Sequence, residues 1–405
     1  MRPMFARAAV AIAVLWLAPT AGAAELELGD CSVVAAEGGH SGLGDACAAL
    51  IENTEESAER RAQALLRRGI WHWRGHRDSQ AKDDLERGLQ LAPDHAKLLQ
   101  LLAMLHLERD ELDIAQLLAE RSAAIDPTRG ITFEILGRLA QRHGQFGNAL
   151  AHYDKSVQLN PDHAFVRYMR AKVLIALARA PDALKDTAWL IAQPPEKNDR
   201  AGVAWIDGHT VKLHLAGLIA HAEVLVAMDR LAEAEAHHGQ VLSYQRSAFT
   251  LTQRSQFLHA LPSSIGSKSR LPEALADAEE AIRLDPKDAR AYRQYASTLE
   301  YSRRHADALA AVERALELEA YEVGIPALLW ARARVLRALS RQNEAIESAQ
   351  LALVIARDVA PDYLQQRIQR LSRLGYWQDP GESPNARMVA LSDAVTACMA
   401  DEACW

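Results

Sequence analysis

Aromatic residues make up only 6% of the chain. Ala, Leu, Glu and Arg stand in their place, a balance that favours helix over sheet. Positive charge is not in excess either. The 46 basic and 53 acidic side chains give a formal charge of −7, and a general nucleic-acid binder carries a basic surplus instead. Catalytic signatures are missing: there is no Gly-x-Ser-x-Gly, no His-Glu-x-x-His and no dinucleotide fingerprint. His76-Arg77-Asp78 resembles a kinase triplet only in its letters. The Gly-rich run from Glu37 to Gly44 lacks the Gly-Lys-Ser/Thr ending of a phosphate loop and reads as a flexible loop. His72 and His76, four apart, share a helix face at a metal-binding spacing, with no third ligand near them in sequence. His237 and His238 are adjacent and point in different directions. We therefore expect no catalytic residues, no cofactor and no metal.

Cysteine is scarce, and none of the four lies in the middle of the chain: Cys31 and Cys47 stand near one end, Cys398 and Cys404 near the other. The first residues carry Arg2 and Arg7, then an apolar run from Ala8 to Leu17, then Pro19 and the small residues Ala21-Gly22-Ala23. This is the pattern of a secretory signal peptide over residues 1–23. An uncleaved N-terminal anchor is the other reading, although the run is short of the ~20 residues a spanning helix needs. Cleavage would take the formal charge from −7 to −9, since it removes two Arg and no acid. An even cysteine count in an exported protein suggests disulfides. Four cysteines allow three pairings. A long stack of helices holds its ends apart, and a bridge needs Cα atoms within ~7 Å, so Cys31–Cys47 and Cys398–Cys404 are the favoured pairs. The spacings are not those of a zinc motif.

Repetition is what the chain has in abundance. From Gly130 to Pro161 it reads as two short helices joined by a tight turn, with Phe133, Leu136, Gly137 and Ala140 on the first helix. Gly144 and Phe146 mark the turn, Ala149, Tyr153 and Ser156 lie on the second helix, and Pro161 stops it. The pattern returns: Pro93, Pro127, Pro161 and Pro195 are each 34 residues apart. Gly69, Ala103, Gly137 and Ala171 fall at one position, and Ala81, Ala115, Ala149 and Ala183 at another. Small residues there let paired helices approach closely, and Pro fixes the turn into the next unit. The motif resembles the tetratricopeptide repeat (TPR). That resemblance implies an all-α, right-handed superhelical solenoid of about eight helix-turn-helix repeats with C-terminal capping helices.

In this reading residues 24–61 are a leader, with Asn53 and Glu56 as a capping box for the entry helix. Trp71 and Trp73 pack between that leader and the first repeat. Residues 62–197 form four repeats, 198–214 a linker or irregular joint, 215–359 four more repeats, and 360–405 a capping helix and tail. The sixth repeat begins near Ser255, and Pro262 to Ser267 shorten its first helix.

The resemblance also implies a concave groove for extended peptides, lined by the first helix of each repeat. Early repeats offer Trp73, Arg74, Gln100, Met104, Glu134, Arg138, Tyr168 and Lys172 to it; the last two offer Arg290, Arg293, Tyr301, Trp330, Arg334 and Arg337. The latter set is basic with interleaved aromatics. It suits carboxylates or an acidic peptide, with Trp330 as an apolar anchor, and reads equally as a solvated helix face. Leu66 and Ile70 replace the Lys and Asn with which TPR proteins hold chaperone C-termini. The expectation is a non-enzymatic protein- or peptide-binding scaffold of the bacterial envelope, periplasmic or secreted, with no nucleic-acid partner and no transmembrane segment once the signal is cleaved. The alternative is a solute- or glycan-binding accessory with a pocket at the joint.

Overall fold

The computed structural model describes residues 31, 42–206, 209–261, 270–319, 324–379 and 384–399. The expected signal peptide (1–23), most of the expected leader, Cys404 and the run from Pro262 to Ser267 lie outside the described residues. Helix α1 (Gly42–Glu52) takes in the end of the Gly-rich run, so Gly42 to Gly44 are helical and not loop. Eight helix pairs follow among the described residues, four of them before an interruption. They are α2 (Ala58–Arg74) with α3 (Asp78–Leu91), α4 (Ala96–Glu108) with α5 (Leu112–Ile125), α6 (Gly130–Arg142) with α7 (Phe146–Leu159), and α8 (Ala164–Ala176) with α9 (Ala180–Ala192).

A short helix α10 (Pro195–Ala201) and two strands, β1 (Val203–Ile206) and β2 (His209–Lys212), interrupt the series. It resumes with α11 (Leu213–Ala227) and α12 (Leu231–Tyr244), α13 (Ala248–Ala260) and α14 (Leu271–Leu284), α15 (Ala289–Tyr301) and α16 (His305–Leu318), and α17 (Ile325–Ala338) and α18 (Gln342–Val359). Helices α19 (Pro361–Arg373) and α20 (Pro384–Met399) complete the described chain. The described residues fall into two compact units, divided between His237 and His238.

One device closes almost every pair. A three-residue turn follows the first helix, and its middle residue is left-handed: His76, Asp110, Gly144, Ala178, Asp229, Arg303 and Ser340 all have φ between 55° and 69°. The next N–H then returns to a carbonyl of the last helical turn, as in Gln145 N to Ala140 O at 2.8 Å and Arg179 N to Leu174 O at 2.8 Å. This is the Schellman arrangement, which satisfies carbonyls the helix end would leave bare. The left-handed conformation also corrects the expected histidine pair. His76 lies beyond the end of α2 and shares no helix face with His72.

Small residues sit where the motif placed them. Ala81, Ala103, Ala115, Ala149, Ala171 and Ala183 are fully buried. Buried serines on the second helices donate to the backbone of the first, as Ser156 Oγ to Gly130 O at 2.8 Å. Leu98 to Leu107 of α4 join α2 and α6 in one apolar core, and Tyr153, Val166 and Val173 centre the next. Trp73 belongs to the first of these cores and donates its indole N–H to Glu108, while Trp71 lies under the guanidinium of Arg77 at 3.6 Å. The expectation set both between the leader and the first repeat, and Trp73 on the groove face as well. The entry cap also differs. Ser57 caps α2, accepting from Arg60 N, whereas Asn53 accepts from Glu55 N just past the end of α1. Cys31 and Cys47 form a disulfide beneath Ile51 and Leu65.

The joint is built, not open. β1 and β2 pair antiparallel with Val203 opposite Lys212 and Ile206 opposite His209. Asn198 donates to Leu190 O at 2.7 Å and meets His214 Nδ1 at 3.3 Å. Residues Leu213 to Ala222 of α11 are buried on every side. Nothing described at this joint supports the solute- or glycan-binding alternative.

In the second unit α13 is a full helix that starts at Ala248, seven residues earlier than the reading from Ser255. The extra residues of this repeat stand between α13 and α14 and do not shorten the first helix. Leu391, Ala394, Val395 and Cys398 of α20 fold onto the core of α17 and α18. Cys398 is disulfide-bonded.

Candidate functional site

The residues expected to line a groove divide sharply by environment. In the first unit Trp73, Gln100, Met104, Glu134 and Tyr168 are all buried, so Tyr168 offers no ring to a ligand. Glu134 pairs with His163 Nε2 at 3.2 Å and lies 3.8 Å from Arg138. Burial opposes its charge, but His163 and Arg138 outweigh it and hold the carboxyl below its ordinary range. Lys172 reaches Glu223 of α11 at 2.5 Å. Close by, burial raises Glu108 to about 7 against the pull of Arg138 and of the Trp73 indole, and its Oε1 has no hydrogen-bond partner. This face is thus mostly self-satisfied.

The second unit contains a cavity of about 670 Å³. It is lined by His259 of α13, Ser297, Glu300 and Tyr301 of α15, and Arg334, Arg337 and Ala338 of α17. Three of the expected groove residues, Tyr301, Arg334 and Arg337, are thereby brought to one place. Tyr301 is 65% exposed, unusual for so large a ring, and meets His259 edge-on at 4.3 Å. Arg334 grips Glu300 with both arms of its fork, Nε to Oε1 at 3.1 Å and Nη2 to Oε2 at 2.7 Å. His259 keeps a buried Nδ1 without a hydrogen-bond partner. Burial lowers its pKa, Glu300 opposes that shift and Arg334 adds to it.

Trp330 is not in this group. It is 3% exposed, part of the core, and covered by Arg367 of α19 at 4.7 Å, so the expected apolar anchor is a packing residue. Arg293 is exposed, and Arg290 is half-buried with its backbone N–H donating to the Asp288 carboxylate; neither lines the cavity.

Glu300 and His259 were missed in the sequence. Ser297, Glu300 and Tyr301 have the i, i+3, i+4 spacing of one helix face, so the projection that found Tyr301 contained Glu300 as well. His259 belongs to the sixth repeat, which the projection of the early and last two repeats did not include. Among the described residues no group of three or more His, Cys, Asp or Glu side chains could hold a metal ion. None of the described helices is long and apolar enough to cross a membrane.

Repeated hairpins, small residues at the helix crossings and Schellman turns in register define the fold of a tetratricopeptide repeat protein. A TPR protein from Parabacteroides merdae ATCC 43184 superposes with a TM-score of 0.50 at 17% identity, covering 67% of this chain and 98% of that one. Anaphase-promoting complex subunit 3 of Schizosaccharomyces pombe (strain 972 / ATCC 24843) is 26% identical over 149 residues. That match spans 37% of this chain and only 22% of the subunit. No protein-family model matches the chain.

Proposed function

We propose that the protein is a non-enzymatic scaffold of the bacterial cell envelope that holds a protein or peptide partner on the second unit. The observation that carries this is the convergence of α13, α15 and α17 on one cavity with an exposed aromatic ring and two arginines at its wall. Arg forks and aromatic faces are the side chains that most often anchor partners. Arg293, exposed on α15, extends the same basic character. The export part of the reading is supported by the signal-like N-terminus and by the Cys31–Cys47 disulfide, since such bonds persist in oxidising compartments.

The test is capture from an envelope extract by wild type and by Arg293→Glu/Arg334→Glu. Loss of a wild-type partner in the variant, at unchanged helicity, supports the site. Equal capture removes it. The N-terminal mass of protein recovered from the periplasm tests export: a chain beginning at Ala24 is expected, and an intact Met1 in the cytoplasm refutes it.

A further inference from the structure

We propose that the cavity between α13, α15 and α17 takes a carboxylate side chain of an acidic segment, and that seating it draws a proton onto His259, so that capture strengthens as the pH falls. This rests on the partner-binding reading above and gives it a ligand chemistry and a regulator.

The charged groups that line the cavity are Arg334, Arg337 and Glu300, a net positive set. Glu300 occupies Nε and Nη2 of Arg334, which leaves Nη1 outside that fork. A guanidinium has five N–H donors and accepts a second carboxylate without giving up the first. Arg337, one helical turn on, borders the same space. An entering carboxylate therefore meets donors, with the edge of Tyr301 beside it.

His259 makes the site responsive to protons. Its ring is held against Tyr301, and its Nδ1 is buried without a partner. The charged or titratable groups that face it are Glu300 and Tyr301 of α15 and Arg334 of α17. Burial and Arg334 disfavour the charged ring, against the pull of Glu300. A second carboxylate adds an opposite charge beside the ring and favours the imidazolium. By linkage, a ligand that raises the proton affinity of His259 binds more tightly where protons are plentiful.

The experiment uses fluorescein-labelled hexaglutamate, with hexaglutamine as the neutral control, in fluorescence anisotropy with the full chain at pH 8 and pH 6. Hexaglutamate is fully ionised at both. Wild type should bind it about fivefold tighter at the lower pH, the low end of ordinary coupling, and should not bind hexaglutamine. His259→Gln should bind equally at both pH values, and Arg337→Gln should lose binding at both. Calorimetry of wild type in two buffers of different ionisation enthalpy should show proton uptake near pH 6. That measurement carries the test if His259→Gln fails to reach wild-type helicity. No binding of hexaglutamate by wild type, equal binding of hexaglutamine, or a pH response that persists in His259→Gln each overturns the proposal. Partner capture lost in Arg293→Glu/Arg334→Glu would then still uphold the scaffold reading, so the two failures are distinguishable.

Discussion

A Cβ added at Gly137 would stand 2.5 Å from Cε1 of Tyr153 and 2.6 Å from its Cδ1, and that ring is fully buried. The glycine is there because the ring fills the crossing between α6 and α7. Gly137→Ala should lower stability by about 1–3 kcal/mol, the ordinary penalty of overpacking, read from urea melts. Tyr153→Leu in the same background should restore part of the loss; if it restores none, the clash is not the cause. Glu108 poses a different problem at the same scale. Its folded pKa of about 7 lies above the ordinary 4.5, so the folded chain binds the proton more tightly than the unfolded chain. Its contribution is most favourable below pH 4.5 and is lost as pH rises through 7. Glu108→Gln keeps an acceptor for the Trp73 indole and removes the buried charge. It should gain about 1–2 kcal/mol at pH 8 and nothing at pH 4; an equal gain at both would refute the assignment.

At the scale of elements, three of the described pairs carry an ion pair at the same repeat position. Arg68 grips Asp84 across α2 and α3, Arg170 grips Asp186 across α8 and α9, and Arg254 grips Asp277 across α13 and α14. In the second pair Leu102 and Leu118 stand there instead. Asp277→Ala should cost about 2 kcal/mol, less than the ~3–5 of a fully buried pair because Arg254 keeps 30% of its surface in water. Arg254→Leu/Asp277→Leu should return close to wild type. A double variant as unstable as the single one would show that the position needs the charges.

The contrast also explains what could be read in advance. Alanines at 81, 115, 149 and 183 and prolines 34 apart mark the pairs because close helix crossing and helix termination demand those residues. The strands β1 and β2 were missed although Asp207-Gly208 stands between them, a strong hairpin dipeptide. Helical periodicity on both sides outweighs so short a ladder in the sequence pattern. Of the site, the arginines and Tyr301 were legible as a charged and aromatic helix face. Their partner Glu300 and the third wall from α13 were not, because pairing between successive first helices depends on three-dimensional packing. Trp330 was misjudged for the same reason: a tryptophan on the expected inner face is covered by α19, which the repeat pattern does not position.

Over the whole molecule, buried histidines set the response to acid. In the first unit His221 donates to or accepts from Thr187 at 2.9 Å and packs against His237 at 4.4 Å, and burial, with His237 and Arg230 beside it, brings its pKa down to about 4. Burial also lowers His72, His95, His152, His214 and His237 there, and His259 in the second unit. Each takes up a proton less readily when folded than when unfolded. Their stabilisation is therefore complete above the ordinary value of 6.5 and is lost as pH falls from there toward 4. Thermal melts should drop steeply between pH 7 and pH 5, in every transition the two units show. The cause is specific rather than a general effect of net charge. His221→Asn retains a polar partner for Thr187 and cannot take the proton, so its midpoint should fall less than that of wild type over the same interval. If the two slopes coincide in the first unit's transition, His221 is not among the groups that drive acid unfolding.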